Sequence, residues 1–361
     1  MHRTAAPPVE PEVILAFEPF GLGDAVCALP TLRLLKERFG DAELHFVTGP
    51  LGAALAEGLP FIDVVERCPA AFGEMRSFLK CHRGRPRTLA VLLNDGWWPN
   101  VTALRLGAAW HCGYLYRPRR DARYHPDRLS SATWDREVRI DVPSQTHLVW
   151  RAAKAAQPAL GELNEADLRR PVPELADASF LESVELPRAW CEASTAERVL
   201  LHPGAGSSLK RWPARKWHDL ASLLVDEGRV VCIDGSADER AEAEAILEGI
   251  PPARAFNFCG LVGIGAIGAL AASCALAVST DSGVAHVASA VGCPVAVLMG
   301  ATSAETSGPF WGRAEVVADQ ALPVPARLDR VDGEAAAAAR ENMARVRVGA
   351  VLEAVGRLKH A

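Results

Sequence analysis

The sequence lacks the marks of several protein classes. No apolar run reaches the roughly 18 to 20 residues that a transmembrane helix requires. The polar, proline-rich start MHRTAAPPVEPE has no hydrophobic stretch of the kind that a signal peptide needs. The nine cysteines include no CxxC pair, and several, such as Cys232 and Cys274, stand in apolar runs. We therefore expect a cytosolic protein with reduced, packed thiols.

A metal site is not demanded by the sequence either. Cys81-His82 and His111-Cys112 are the pairs closest to a zinc motif, but their spacing is not that of a zinc site. Convincing clusters of carboxylates are also missing. The sequence thus predicts no bound metal.

The chain has a negative net charge, but its positive charge is concentrated in one stretch. The net charge of −5 argues against general nucleic-acid binding. From Arg76 to Arg139, however, thirteen Lys and Arg stand against five Asp and Glu, which leaves the rest of the chain at −13. This basic stretch suggests an anionic partner, with a merely solvated surface as the alternative.

What the sequence does contain is an alternation of short apolar runs with amphipathic stretches rich in Ala and Leu. This alternation predicts parallel sheets covered by helices on both faces. It occurs twice, so the fold class is α/β with two doubly wound domains. The expected strands are Val13–Phe17, Leu44–Thr48, Val64–Arg67, Leu89–Leu93, Val199–His202, Val230–Asp234, Ala275–Ser279 and Val295–Met299.

The 361 residues are enough for two domains, because 49% of them are hydrophobic. We expect an N-terminal domain over residues 1–175 and a linker, rich in Pro, Glu and Ala, over 176–197. A C-terminal domain over 198–333 and a tail helix over 334–361 follow. Ligands of such domains bind at the carboxyl ends of the strands.

The first turn after a strand contains Gly21-Leu22-Gly23-Asp24, with Pro30 six residues beyond Asp24. The two glycines permit a tight turn and the close approach of another molecule. Asp24 stands near the start of the next helix, where the helix dipole favours an anion. Such a carboxylate can accept a proton from a hydroxyl, or it can simply cap the helix.

The second half opens with a strand that ends in His202-Pro203-Gly204-Ala205-Gly206-Ser207-Ser208-Leu209-Lys210-Arg211-Trp212-Pro213. Backbone N–H groups and hydroxyls of such a loop suit phosphate, and Lys210 supplies positive charge. The pattern is not a Walker A loop. An ordinary connecting loop is the alternative.

A third motif, Asp281-Ser282-Gly283-Val284-Ala285-His286, follows an apolar strand and opens a helix. Thr280 or Asp281 is expected to cap this helix, so that its free N–H groups face a ligand. A diphosphate at this position is physically sensible. A capped helix with a packed histidine is the alternative.

Gly263-Ile264-Gly265-Ala266-Ile267-Gly268 matches the glycine pattern of dinucleotide-binding folds. That pattern requires a firm preceding strand and an acidic residue at the end of the second strand. Here the preceding apolar segment is short and Asp281 begins a helix. We therefore do not predict a dinucleotide site.

Taken together, the three motifs resemble the heptosyltransferase family of inverting glycosyltransferases, family 9. That family has G-x-G-D with a proline six residues on, then H-P-G-x-G-x-x-x-K-x-W-P, then D-[ST]-G-x-x-H. The order and separation fit, and the resemblance runs from about Val13 to Trp311. It implies a GT-B fold, with two Rossmann-like domains facing a cleft, the acceptor in the first domain and the sugar nucleotide in the second.

The resemblance also implies roles for residues. Asp24 resembles the general base that deprotonates the acceptor hydroxyl, and Asp238 or Glu239 is a plausible nucleoside contact. On the acceptor side we name Gly23 together with four residues of the basic stretch, which are Arg83, Arg85, Arg87 and Arg120. On the donor side we name Gly204, Gly206, Ser207, Lys210, Glu239, Asp281, Ser282, Gly283 and His286.

The function implied is transfer of a sugar, a heptose in the family's usual case, from a nucleotide diphosphate to a hydroxyl of a lipopolysaccharide core or related glycan. ADP-heptose is the expected donor, with no cofactor required. The acceptor is expected to be an anionic glycolipid or polysaccharide, reached by peripheral contact at the inner face of the inner membrane. Alternatives are a non-catalytic nucleotide-sugar-binding protein with the same fold and, from the 263–268 glycines alone, an NAD-dependent dehydrogenase.

Overall fold

The structure is a computed structural model that describes residues 10–85, 87–94, 97–108, 110–117, 137–143, 146–182, 184–323 and 333–360. The chain forms two compact units, Met1–Arg170 and Pro171–Ala361. Within the described residues no helix is long and apolar enough to cross a membrane.

The first unit is a six-stranded parallel sheet with helices between its strands. The strand order is β3-β2-β1-β4-β5-β6. The strands are β1 Val13–Glu18, β2 Glu43–Thr48, β3 Val64–Arg67, β4 Thr88–Leu92, β5 Trp110–Arg117 and β6 Glu137–Pro143. The helices are α1 Leu22–Arg38, α2 Pro50–Ala56, α3 Phe72–His82, α4 Trp97–Leu106, α5 Leu148–Leu160 and α6 Glu165–Leu168.

The second unit repeats this plan, with the strand order β12-β11-β10-β7-β8-β9. The strands are β7 Arg198–His202, β8 Val230–Ile233, β9 Ala255–Asn257, β10 Leu276–Thr280, β11 Val295–Leu298 and β12 Ala314–Val317. The α-helices are α7 Ser179–Glu182, α8 Arg188–Glu192, α9 Ala214–Asp226, α10 Arg240–Leu247, α11 Ile267–Ala272, α12 Gly283–Ala290, α13 Ala304–Ser307, α14 Gly333–Arg345 and α15 Val348–His360. Single 3₁₀ turns cover Pro173–Ala176, Ser208–Lys210, Ala237–Glu239 and Ile264–Ala266.

Both sheets change direction of winding at their first strand. In each unit the chain builds outward to one side and then crosses back, so the switch lies between β1 and β4 and between β7 and β10. Crevices for ligands form beyond the carboxyl ends of the strands at such switch points. Asp24 follows β1, and Asp281 follows β10. The topology thus places both predicted motifs at the ligand-binding edge of their own sheet.

Helix α1 begins earlier than a local pattern suggests. Pro30 taken alone would favour a helix start close to its own position, because proline cannot donate the hydrogen bond of a helix interior. The helix in fact begins at Leu22 and includes Pro30. Its residues from Ala25 to Leu32 are all buried, so their packing outweighs the one hydrogen bond that Pro30 removes.

The tail packs on the second unit. Helices α14 and α15 are separated at Val346, whose carbonyl accepts hydrogen bonds from the Trp212 indole at 3.0 Å and from Lys216 Nζ at 2.7 Å. These donors satisfy a carbonyl that the end of a helix leaves free. From α15, Val351, Ala354, Val355 and Leu358 join the core formed around Trp217.

The glycine pattern at 263–268 has a packing explanation in the second unit. A Cβ on Gly268 would overlap the carbonyl oxygen of Leu175, which lies in the turn before α7. A Cβ on Gly263 would meet nothing within 4 Å, and its φ is −76°. Gly268 is therefore required by the close approach of protein backbone, which accounts for it without a dinucleotide.

Gly268→Ala should lower the free energy of unfolding by about 1 to 3 kcal/mol, the usual cost of overpacking. Gly263→Ala is the matched control within the same motif and should be nearly neutral, because the site is open and the backbone angle suits alanine. Denaturant unfolding of both variants measures the difference. Equal stability of the two would contradict the packing explanation.

Candidate functional site

The first unit carries a candidate site at the turn between β1 and α1. Gly21 is the N-cap of α1 and no side chain caps the helix, so Asp24 is not the cap that the sequence left as an alternative. Asp24 stands in the first helical turn and is half-buried, as is Gly23. Its carboxylate therefore lies where the helix dipole stabilises negative charge while keeping access to solvent.

Glu18 is a second carboxyl group at this position, and the sequence motifs did not single it out. It ends β1, is 2% exposed, and accepts hydrogen bonds from Phe20 N at 3.2 Å and from Asn94 Nδ2 at 3.3 Å. Burial, and after it the negative charge of Asp24, raise the pKa of Glu18 well above 4.5. The buried member of this carboxyl pair therefore holds a proton more readily than an ordinary glutamate.

Glu18→Gln should stabilise the protein at neutral pH. A raised carboxyl pKa means that the folded state keeps a proton which the unfolded chain releases, so wild-type stability falls as pH rises above 4.5 towards the folded pKa. Glutamine is neutral at all pH values and can still accept both hydrogen bonds. The stability difference between variant and wild type, measured by denaturant unfolding from pH 4 to 8, should grow with pH. A pH-independent difference would contradict the shift.

The predicted acceptor arginines lie elsewhere in the first unit. Arg83, Arg85 and Arg87 precede β4, whose first residue Thr88 pairs with the first residue of β1. Asp24 follows the other end of β1, so a strand length of about 16 to 20 Å separates the two edges. Arg85 and Arg87 are moreover ion-paired, with Glu43 at 3.0 Å and with Glu12 respectively.

The structure therefore does not bring these three arginines together with Asp24. The charge count identified a basic stretch. Only the strand order shows that this stretch includes residues at the amino ends and at the carboxyl ends of the strands. Arg120, the fourth predicted acceptor residue, lies outside the described residues.

In the second unit the glycine-rich loop is tied to the end of β10. The Thr280 hydroxyl donates a hydrogen bond to the Gly204 carbonyl, which joins the loop to the third motif. Gly204 is buried, whereas Gly206 is exposed. The Ser207 hydroxyl accepts a hydrogen bond from Leu209 N at 3.3 Å and so begins the 3₁₀ turn that carries Lys210.

Lys210 meets Asp281 at the same edge. Lys210 Nζ lies 2.7 Å from Asp281 Oδ2, with the side chains 21% and 6% exposed. The Thr302 hydroxyl donates to the same carboxylate oxygen. An ammonium group has three N–H donors, so Lys210 can keep Asp281 and still bind a phosphate oxygen. The pair thus holds a partly exposed cation in a fixed position.

The start of α12 lies beside this pair. Its N-cap is Ser282, not Thr280 or Asp281 as the sequence predicted, and no side chain caps the helix. Asp281 is instead turned to Lys210, and Thr280 to Gly204. Ser282 and Gly283 are partly exposed, so the first N–H groups of α12 form a potential anion site. His286, one turn further, is 3% exposed and belongs to the buried part of the helix.

Glu239 closes the other side of the loop. Its carboxylate accepts from Ser236 N at 2.9 Å and lies 2.7 Å from Arg211 Nη2. A Cβ on Gly204 would lie 2.8 Å from Glu239 Oε1, so a larger residue here would displace the Glu239 carboxylate. A narrow cavity here is lined by Gly204, Asp234, Glu239, Ile246 and Cys259, among others.

His202 and Asp234 form a buried pair that sequence reasoning missed. His202 ends β7 and Asp234 directly follows the neighbouring strand β8, and His202 Nδ1 lies 3.0 Å from Asp234 Oδ1. Burial opposes charge on the imidazole, but the charge of Asp234 and its hydrogen bond raise the pKa of His202. The signal in the sequence was an aspartate at the end of an apolar strand. Through this pair the base of the loop is held to the sheet.

The amino-acid sequence of this chain is similar to those of known proteins. The family model for "Glycosyltransferase family 9 (heptosyltransferase)" matches residues 106–333. Lipooligosaccharide heptosyltransferase 2 of Haemophilus influenzae is 34% identical over 119 residues, which are 32% of this chain and 34% of that protein. Lipopolysaccharide heptosyltransferase 2 of Escherichia coli matches with the same figures. The matched segment thus spans about a third of the length of these curated relatives.

Solved structures agree on the fold. The ADP-heptose lipopolysaccharide heptosyltransferase II of E. coli superimposes with a TM-score of 0.72 at 21% identity, over 96% of this chain and 98% of that one. An E. coli heptosyltransferase solved with ADP gives 0.70 at 17% identity, over 96% and 99% of the two chains. The predicted two-domain Rossmann-like fold of GT-B type is therefore confirmed. Because the family model covers more than half of the chain and the three motifs follow in the family's order, this chain belongs to glycosyltransferase family 9, the heptosyltransferase family.

Proposed function

We propose that this chain is an inverting glycosyltransferase that moves a heptose from ADP-heptose to a hydroxyl group of a lipopolysaccharide core. The observation that carries the proposal is the pairing of Lys210 with Asp281 beside the uncapped start of α12. It offers a cation and free N–H groups to one ligand, which suits a diphosphate. The names of the relatives point to the heptose and to the lipopolysaccharide acceptor.

In this proposal the donor is held by the second unit. Lys210 and the N–H groups of Ser282 and Gly283 bind the diphosphate, on which negative charge grows as its bond to the sugar breaks. Donors already in position for that charge lower the barrier, because they need no reorganisation. Asp281 contacts the sugar hydroxyls, and Glu239, beside the narrow cavity, contacts the nucleoside. Gly204, Gly206 and Ser207 shape the loop, and His286 supports the helix from within.

The first unit supplies the base. Asp24 accepts the proton of the acceptor hydroxyl while the acceptor oxygen attacks the anomeric carbon. The bond from that carbon to the diphosphate breaks on the opposite face, which inverts the configuration. The raised pKa of Glu18 favours placing the negative charge of the carboxyl pair on the more exposed Asp24. Gly23 leaves space for the acceptor, since it carries no side chain.

The acceptor in this proposal is an anionic glycolipid core, so the reaction runs at the cytoplasmic face of the inner membrane. We do not assign Arg83, Arg85 or Arg87 to it, because they lie at the far edge of the sheet. Arg120 remains a proposed contact on sequence grounds alone. No metal or cofactor takes part in the proposed transfer.

The test is a transfer assay with ADP-heptose and a panel of other nucleotide sugars, using purified lipopolysaccharide core lacking heptose as acceptor. We expect ADP release and heptosylated product with ADP-heptose in preference to the rest, and product of inverted configuration. Tight donor binding without any product would instead favour a non-catalytic binding protein. Transfer of a different sugar would leave the chemistry in place and overturn the donor.

A further inference from the structure

Two histidines and a glutamate converge inside the first unit, away from the residues used above. They are His45 in β2, Glu66 in β3 and His82, the last residue of α3. His45 Nδ1 lies 2.5 Å from Glu66 Oε1, and His82 Nε2 lies 2.9 Å from Glu66 Oε2. One ligand atom from each residue lies within 4.8 Å of the other two.

The fold brings these three residues together from distant parts of the chain. In the register of β2 with β3, His45 pairs with Val64 and Val47 with Glu66, so His45 and Glu66 point to the same face of the sheet. The last turn of α3 lies over that face, where the Phe78 ring packs on His82 with centroids 4.4 Å apart. The cluster therefore links two strands and a helix.

The burial and charge of the cluster are unusual for a surface ion pair. His45 and His82 are each 3% exposed, whereas the Glu66 side chain is 24% exposed and leaves a way in from solvent. A carboxylate thus lies between two buried imidazoles.

In each histidine ring, one nitrogen does not face Glu66. His45 Nε2 lies 3.1 Å from Glu43 Oε2, although not in hydrogen-bonding geometry. Ligand histidines commonly direct their second nitrogen to a carboxylate in this manner. His82 Nδ1 is buried, and among the described residues it has no hydrogen-bond partner.

We propose that His45 Nδ1, Glu66 and His82 Nε2 bind one divalent transition-metal ion, with Zn²⁺ preferred. Two imidazoles and a carboxylate are a recurring zinc ligand set, with water in the fourth position. Zinc bonds of about 2.0 to 2.2 Å require the ligand atoms to separate slightly from their present hydrogen-bonding distances. His82 begins the connection to the first residue of β4, so the ion would stabilise the unit at the edge away from Asp24.

The sequence predicted no bound metal, and it offered zinc ligands only at the adjacent pairs Cys81-His82 and His111-Cys112. The proposed site is a different one. Cys81 is exposed, whereas His82 is buried against Glu66. The His111 Nε2–H donates to the Ala103 carbonyl, 2.9 Å away. Only one residue of the two sequence pairs thus belongs to the proposed site.

The experiment uses the full chain, first freed of metal with a chelator and then titrated with Zn²⁺ while binding heat and melting temperature are recorded. We expect one Zn²⁺ per chain and a saturable rise in melting temperature. Glu66→Gln and His82→Gln should each weaken binding by more than about 100-fold, because they remove a ligand. Glu43→Gln should weaken it by about 10- to 100-fold, the usual effect of an outer carboxylate.

Cys81→Ser is the matched control, since it changes an exposed neighbour of His82 that is not a ligand, and its affinity should equal that of wild type. Co²⁺ in place of Zn²⁺ should give visible absorption of a four-coordinate site without the thiolate band that Cys81 would add. Should a ligand variant fail to fold, Glu43→Gln decides, because Glu43 is half-exposed. Failure of wild type to bind Zn²⁺, or wild-type affinity in Glu43→Gln and His82→Gln, would overturn the proposal.

Discussion

Asp24→Asn should lower the turnover number by about 10² to 10⁴, the share that a positioned general base contributes. The fold and donor affinity should change little. Gly21, not Asp24, is the N-cap of α1, so the amide removes no capping hydrogen bond, and the loss of negative charge near the helix dipole costs about 0.3 to 1 kcal/mol. Measurement of kcat, donor Kd and melting temperature on the same preparations separates the catalytic role from the structural one.

Glu74→Gln is the matched control for this variant. Glu74 is an exposed acid in the first turn of α3, in the same unit, and it accepts a hydrogen bond from Ala70 N at 2.8 Å. It therefore undergoes the same chemical change in a similar helical position, and kcat should stay at the wild-type value. Near wild-type kcat in Asp24→Asn, with chemistry shown to be rate-limiting by single-turnover kinetics, would end the assignment of Asp24 as the base.

Lys210→Ala should weaken ADP binding by about 1.5 to 3 kcal/mol, or roughly 10- to 150-fold, which is the size of a charge-assisted hydrogen bond. Adenosine should bind nearly as before, because Lys210 is assigned to the diphosphate. Calorimetry with both ligands measures the contrast. Lys359→Ala is the control, since it removes a lysine of the same unit that is paired with Glu227 at 2.8 Å.

The pairing of Lys210 with Asp281 complicates this variant, because the substitution leaves a nearly buried carboxylate without its cation. The double variant Lys210→Ala/Asp281→Asn removes both charges and restores the balance. If Lys210 contacts phosphate, the double variant should still bind ADP poorly although its stability recovers. Recovery of ADP affinity along with stability would show that Lys210 acts only by neutralising Asp281.

The alternation of short apolar runs and amphipathic stretches was enough to predict two α/β domains. Strand β1, predicted over Val13–Phe17 and observed over Val13–Glu18, agrees to within one residue, because a strand buried on both faces leaves a continuous apolar run. The strands β5, β6, β9 and β12 were not predicted. Of these, β12 at Ala314–Val317 is a mostly exposed edge strand with an Ala-Glu-Val-Val sequence, and such a strand leaves little hydrophobic signal.

The motifs themselves could be found by sequence, since a turn of fixed geometry has local requirements. Glycines at the Asp24 turn and at Gly204, and a lysine after a Ser-rich loop, are visible without knowledge of any contact. The family assignment followed from their order and is confirmed by the family model. The roles of Asp24 and of the donor residues are predictions that the proposed experiments test.

What the sequence by itself determined was thus local: the period of the apolar residues, the turns, and three motifs at the ends of strands. The tertiary structure decided which of these meet. Strand order brought Lys210 to Asp281, and it placed Arg83, Arg85 and Arg87 at the opposite edge from Asp24. It also gathered His45, Glu66 and His82. The physical reason is that pairing between strands joins residues far apart in the chain, and side chains that touch only through that pairing share no local pattern in the sequence.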